Sequence, residues 1–173
     1  QLRTNHRRIP LIELKDGNEK LLTEIKSRCL ELIMEVDVPK GGVIGIVVCQ
    51  SPNKLEQTMI IYDSSQKKLL IDTTNSSLDP NIWRPYPIYR GKIEQQDFAI
   101  QEAPLDLPTN EPLKLKIFLD HSVVEVFANA HQCLTQRIYP TQPNSLNLSI
   151  FCQKGPIQIT SLDIWEITPT NNS

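Results

Sequence analysis

Residues 113–140 read LKLKIFLDHSVVEVFANAHQCLTQRIYP. Leu113, Leu115, Ile117 and Leu119 alternate with Lys114, Lys116, Phe118 and Asp120, a period of two that puts one set of side chains on a buried sheet face and the other toward solvent. After the turn at Asp120 and His121 the alternation restarts, with Val124, Val126 and Ala128 on one face and Val123, Glu125 and Phe127 on the other. Asn129 and Ala130 make a second turn, since asparagine tolerates left-handed backbone, and QCLTQRIYP continues as a third strand. Three strands joined by short turns form an antiparallel meander, which points to an all-β chain.

The same pattern extends outward. In CLELIMEVDV (29–38) Leu30, Leu32, Met34, Val36 and Val38 share one face and Glu31, Glu35 and Asp37 the other, with Ile33 the single breach. The terminal IQITSLDIWEI (157–167) alternates too. Between them, GVIGIVVCQ, QTMIIYD, KKLLID, FAIQEAPL and LNLSIFCQ are short β-branched or aliphatic runs bounded by turn residues. About ten such strands predict a two-sheet antiparallel β-sandwich of the jelly-roll or concanavalin-like kind, because βαβ units would need long helical stretches between strands. Only NEKLLTEIKSRCLEL (18–32) has a helix-like spacing. The 13 prolines fit loops and strand edges better than helix interiors, and residues 75–91, with Pro80, Pro85 and Pro87, read as a long surface connection.

A length of 173 residues suits one domain with a full core. The formal net charge is -2 with lysines and arginines scattered along the chain, which gives no electrostatic footprint for nucleic acid or an anionic membrane. No apolar run approaches the roughly 20 residues needed to span a bilayer, so a soluble chain is expected. Cys29, Cys49, Cys133 and Cys152 form no CxxC pair and are expected as free thiols packed in the structure, with disulfides the alternative for a secreted chain. His6, His121 and His131 supply no metal-ligand spacing, and no metal or cofactor is expected. Asn75, Asn147 and Asn171 each open an N-x-S triplet.

Phe118, Asp120, Ser122, Val124, Glu125, Val126, Phe127 and Asn129 resemble the F-x-D-x-S-x-V-E-V-F-x-N signature of the C-terminal domain of glycoside hydrolase family 32. Thr135, Arg137, Tyr139 and Pro140 match the T-x-R-x-Y-P that follows it. The resemblance covers roughly Arg28 to Ile167. It departs at DTTNSS (72–77), where the family commonly has an arginine after the aspartate, and at the loop from Asn75 to Gly91. The family comprises invertases, inulinases, levanases and fructosyltransferases, in which a five-bladed β-propeller catalytic domain precedes this sandwich. The resemblance therefore implies a linker over residues 1–12 from an upstream catalytic domain, a sandwich over 13–168 and a flexible tail over 169–173. The implied partner is a β-propeller in the same parent chain or in a separate subunit.

A retaining glycosidase needs two carboxyl groups about 5 to 5.5 Å apart with separated pKa values, and the family keeps them in N-D-P-N-G, R-D-P and E-C motifs of the propeller. This chain has neither R-D-P nor E-C, and Asp79-Pro80-Asn81 lacks the flanking asparagine and glycine of the first motif. Asp120-His121-Ser122 spells the letters of a hydrolase triad, but consecutive residues point in different directions and cannot line up as nucleophile, base and orienter. No catalytic residue is expected. Glu125, if shielded from water, would need a partner such as Arg137 on the adjoining strand. The rival reading is a carbohydrate-binding module that stacks fructan or a sucrose-type sugar on Trp83, Tyr86 and Tyr89 in WRPYPIYR.

Overall fold

The computed structural model describes residues 2–82 and 99–168, and the alternating segments are strands throughout. In chain order they are β1 (Arg3–Ile9), β2 (Ile12–Leu14), β3 (Glu19–Lys26), β4 (Cys29–Asp37), β5 (Val43–Gln50), β6 (Thr58–Asp63), β7 (Lys68–Asp72), β8 (Ile100–Pro104), β9 (Leu113–Asp120), β10 (Val123–Ala128), β11 (Gln132–Arg137), β12 (Asn147–Gln153) and β13 (Ile157–Ile167). Among the described residues there is no helix. One sheet runs β1-β13-β4-β9-β10-β11, with β2 also on β13, and the other runs β3-β12-β5-β6-β7-β8. Every pairing is antiparallel, as expected of a two-sheet sandwich.

The period of two decides which side chains enter the core. Leu30, Leu32, Met34 and Val36 on β4, with Leu113, Leu115, Ile117 and Leu119 on β9, form one apolar cluster with Ile44, Ile46, Ile60 and Leu69 of the second sheet. Each such side chain contributes about 1.5–3 kcal/mol through its removal from water. β5 is buried along its whole length. At Gly45 a Cβ would stand 2.1 Å from the Phe151 ring, which lies across it from the paired position on β12, so only glycine leaves the ring its place.

Residues 18–32, with their helix-like spacing, are β3, a turn and the start of β4: Leu22 and Ile25 are the buried residues of β3, and their odd spacing is absorbed by an irregularity in the β3–β12 register. The segment expected as a linker over residues 1–12 contains β1, which pairs with β13 from Arg3↔Ile167 to Ile9↔Leu162, and the start of β2, whose Ile12 is a core residue. Its polar, basic sequence suits the edge position it takes beside β13, where charged side chains guard the unpaired backbone groups. The tail over 169–173 lies outside the described residues.

The meander closes with tight turns. His121 has φ 48° between β9 and β10, and Asn129 and Ala130 have φ 48° and 55° between β10 and β11. Two consecutive left-handed residues, with the His131 amide donating to the Ala128 carbonyl at 2.9 Å, make the type I′ turn that matches strand twist.

Candidate functional site

Of the signature residues, Val124 and Val126 face the core, and the others are spread over the outer face and the ends of the first sheet. Phe118 is half-buried and packs edge-on against exposed Phe127, ring centroids 6.2 Å apart at 89°, while the Lys116 ammonium sits 4.8 Å above the Phe118 ring. Asn129 acts as a clamp. Its Nδ2 donates to Glu111 Oε1 at 2.8 Å and to the Pro112 carbonyl at 2.9 Å, and its Oδ1 accepts from the Lys114 amide at 2.8 Å. The clamp ties the β10–β11 turn to the start of β9. Glu125 and Arg137 do not form the expected ion pair: Glu125 stands opposite Thr135 and Phe118, and Arg137 opposite Val123. Glu125 remains half-buried rather than sealed from solvent, so it has no need of a compensating charge.

The carboxylate that is sealed on this face is Glu31, which is 3% exposed. It accepts from Arg3 Nε at 2.6 Å and Nη2 at 2.5 Å, and the Lys116 ammonium lies 3.3 Å away. Burial alone would raise its pKa, but the bonds from Arg3 and Lys116 outweigh burial and hold it below the usual carboxylate range. Arg3 also lies 4.4 Å above the Trp165 ring. His6 stacks on the same indole at 4.6 Å and reaches Asp163 at 2.7 Å. Glu31 thus fastens β1 to β4 and β9, while Arg3 and His6 carry β1 onto Trp165 of β13.

A second sealed carboxylate organises one end of the sandwich. Glu56, fully buried, accepts from the Leu78 amide at 3.0 Å, the Thr141 amide at 2.7 Å and hydroxyl at 2.5 Å, the Gln142 amide at 2.9 Å and the Ser145 hydroxyl at 2.6 Å. Burial again pushes upward, yet these donors, led by Ser145 and Thr141, bring the carboxyl down to about 2. Arg28 holds the same loop from the other side, its guanidinium donating to the carbonyls of Gln142 and Ser145. Leu55, Leu78 and Tyr139, 58%, 48% and 36% exposed, flank this hub on the three segments it joins. Sequence reasoning passed over Glu56 because nothing in KLEQT shows that its donors come from distant segments.

Asp120, His121 and Ser122 do not form a triad. His121 Nδ1 meets Asp120 Oδ1 at 2.8 Å, whereas the Ser122 carbonyl is engaged by the Ile138 amide. The structure instead brings Cys29 to this pair, its Sγ 3.2 Å from His121 Nδ1, a juxtaposition that linear spacing could not reveal. Burial, and then the neighbouring Asp120 carboxylate, keep this thiol above its ordinary pKa although a backbone hydrogen bond from His121 opposes them, which argues against a nucleophilic thiolate. All four cysteines are free. Cys49 and Cys152 are buried as expected, but Cys133 is exposed, because Leu134 takes the inward position on β11. Burial carries the Cys49 thiol up to about 12.

Glycosidase acid catalysis needs a carboxyl held above its normal range. The shifted carboxyls among the described residues, Glu19, Glu31, Glu56 and Asp63, all move down, in each case because hydrogen bonds overcome burial. Trp83, Tyr86 and Tyr89, the expected sugar platform, lie outside the described residues.

The sequence and fold have relatives. A rice protein (Oryza sativa subsp. indica) named beta-fructofuranosidase, insoluble isoenzyme 3, is 30% identical over 165 residues, covering 87% of this chain and 26% of its own. A levanase of Bacillus sp. (strain L7) is 25% identical over 169 residues, covering 95% of this chain and 16% of its own. The crystal structure of fructan 1-exohydrolase IIa from Cichorium intybus superposes with a TM-score of 0.75 at 18% identity, over 96% of this chain and 36% of that one. This chain therefore spans about a quarter or less of the two curated relatives. The profile described as "Glycosyl hydrolases family 32 C terminal" matches residues 1–166, and since it takes in the meander, the Glu31 face and the Glu56 hub together, the chain belongs to the C-terminal domain family of the family 32 glycosyl hydrolases.

Proposed function

We propose that this chain is the non-catalytic β-sandwich module of a β-fructosidase, packed against a β-propeller catalytic domain that carries the chemistry on sucrose- or fructan-type substrates. The observation that carries the reading is the match to a C-terminal domain family over residues 1–166 by a chain equal to only 26% of a protein named as a β-fructofuranosidase. Two features of the chain support it. The R-D-P and E-C motifs are absent from the sequence, and the carboxyls that shift do so in the direction opposite to a general acid's. The Glu56 hub offers a docking surface: it holds three segments rigid from within while Leu55, Leu78 and Tyr139 stay exposed on them, as expected where a neighbouring domain covers apolar surface.

The purified 173-residue chain, incubated with sucrose, inulin and levan, should release no fructose; measurable hydrolysis sinks the non-catalytic reading. Mixed with the propeller domain of its parent enzyme, the chain should raise that domain's melting temperature by several degrees. The double substitution Leu55→Asp, Leu78→Asp should remove this effect while leaving the melting of the isolated sandwich nearly unchanged. Retention on insoluble levan, lost on Trp83→Ala, would favour the carbohydrate-binding reading instead.

A further inference from the structure

The turn of the β9–β10 hairpin carries a cluster that the proposed role does not use. Cys29 opens β4 and is the register partner of Asp120 at the end of β9. His121 follows in a left-handed conformation with φ 48°, and its amide donates to the Arg28 carbonyl at 2.8 Å, fixing the turn against the residue that precedes Cys29. Cys29 Sγ lies 3.2 Å from His121 Nδ1 and 3.7 Å from Asp120 Oδ1, and the last two atoms are 2.8 Å apart. A sulfur, an imidazole nitrogen and a carboxylate oxygen thus converge in one small triangle. Four-coordinate zinc, with bonds of about 2.3 Å to sulfur and about 2.0–2.1 Å to nitrogen and oxygen, sets such ligands about 3.3–3.6 Å apart. The triangle has to open by only about half an ångström on its shortest side to fit.

We propose that Cys29, Asp120 and His121 form a binding site for a divalent cation of the zinc class, with the fourth coordination position open to water. The donor set makes the choice of ion: thiolate and imidazole prefer zinc, cobalt or cadmium, whereas magnesium and calcium take oxygen ligands. Access requires no rearrangement, because the Asp120 and His121 side chains are 79% and 76% exposed. Arg28, the adjacent cation, is turned away to the Gln142 and Ser145 carbonyls. A bound ion would tie the β3–β4 turn to the β9–β10 hairpin, a link that hydrogen bonds alone now make.

The test titrates cobalt(II) into the reduced, chelator-treated 173-residue chain and follows the near-ultraviolet thiolate-to-cobalt charge-transfer band. A band that saturates at one equivalent and is bleached by zinc is expected. It should vanish in Cys29→Ser, persist in Cys133→Ser, and need at least tenfold more cobalt in His121→Gly, a variant that keeps the left-handed turn while removing the imidazole. Zinc should also raise the melting temperature of the native chain and not of Cys29→Ser. No band in the native chain, or an unchanged band in Cys29→Ser, overturns the proposal. If Cys29→Ser melts differently without metal, His121→Gly decides: cobalt affinity equal to that of the native chain overturns the site.

Discussion

Glu56 shows at the scale of one residue how a buried charge is made tolerable. A lone buried carboxylate would cost several kcal/mol, but here five donors from the 78 and 141–145 segments surround it. Its folded pKa of about 2 stands below the ordinary 4.5. Because the folded value is depressed, its contribution, on the order of 3 kcal/mol from that difference, is fully present above about pH 4.5 and drains away as pH falls toward 2. Urea unfolding across pH 2–7 should show Glu56→Gln less stable than the native chain at neutral pH, the two converging near pH 2; a constant gap would refute this origin. Asn129 makes a comparable case without charge. Asn129→Ala removes three hydrogen bonds and places a β-carbon residue less tolerant of left-handed φ at 48°, so it should cost about 2–4 kcal/mol by chemical denaturation. Asn129→Gly, which keeps the conformation, should separate the two contributions.

At the scale of elements, β1 has little apolar surface of its own. Its pairing with β13 is irregular between Thr4 and Arg7, and what holds it is the Glu31 network reached through Arg3 and the stacking of Arg3 and His6 on Trp165. Glu31→Ala should therefore loosen one strand rather than the whole sandwich. Hydrogen exchange at the β1 amides is expected to speed up at least tenfold while the amides of β9 and β10 keep their protection; uniform acceleration across both sheets would show that the network supports the global fold instead. The strands β4, β9 and β10 need no such device, because each buries a continuous apolar face.

On the scale of the whole molecule, two hubs sit on either side of a shared core, Glu31 on the outer face of one sheet and Glu56 at a loop end. Acid should weaken both, since both carboxyls are held below their ordinary range. The Glu56 end is also where the apolar side chains Leu55, Leu78 and Tyr139 remain exposed, which is the ground for the docking surface proposed above.

The sequence by itself determined the all-β class, the inward and outward faces of β4, β9 and β10, and the family, because a period of two and a run of specific residues in one register are local properties of the chain. The strands over residues 3–9 and 19–26 are not legible in it, because their strand character comes from their partners β13 and β12 rather than from their own pattern. Only the tertiary structure decided which carboxylates are sealed, that Glu125 and Arg137 stay apart, and that Cys29 meets Asp120 and His121. The physical reason is the same in each case: donors, partners and ligands are supplied across strand pairings and loop closures between residues far apart in the chain, from the 92 positions between Cys29 and His121 to the ends joined by β1 and β13, and no periodicity records which strands will become neighbours.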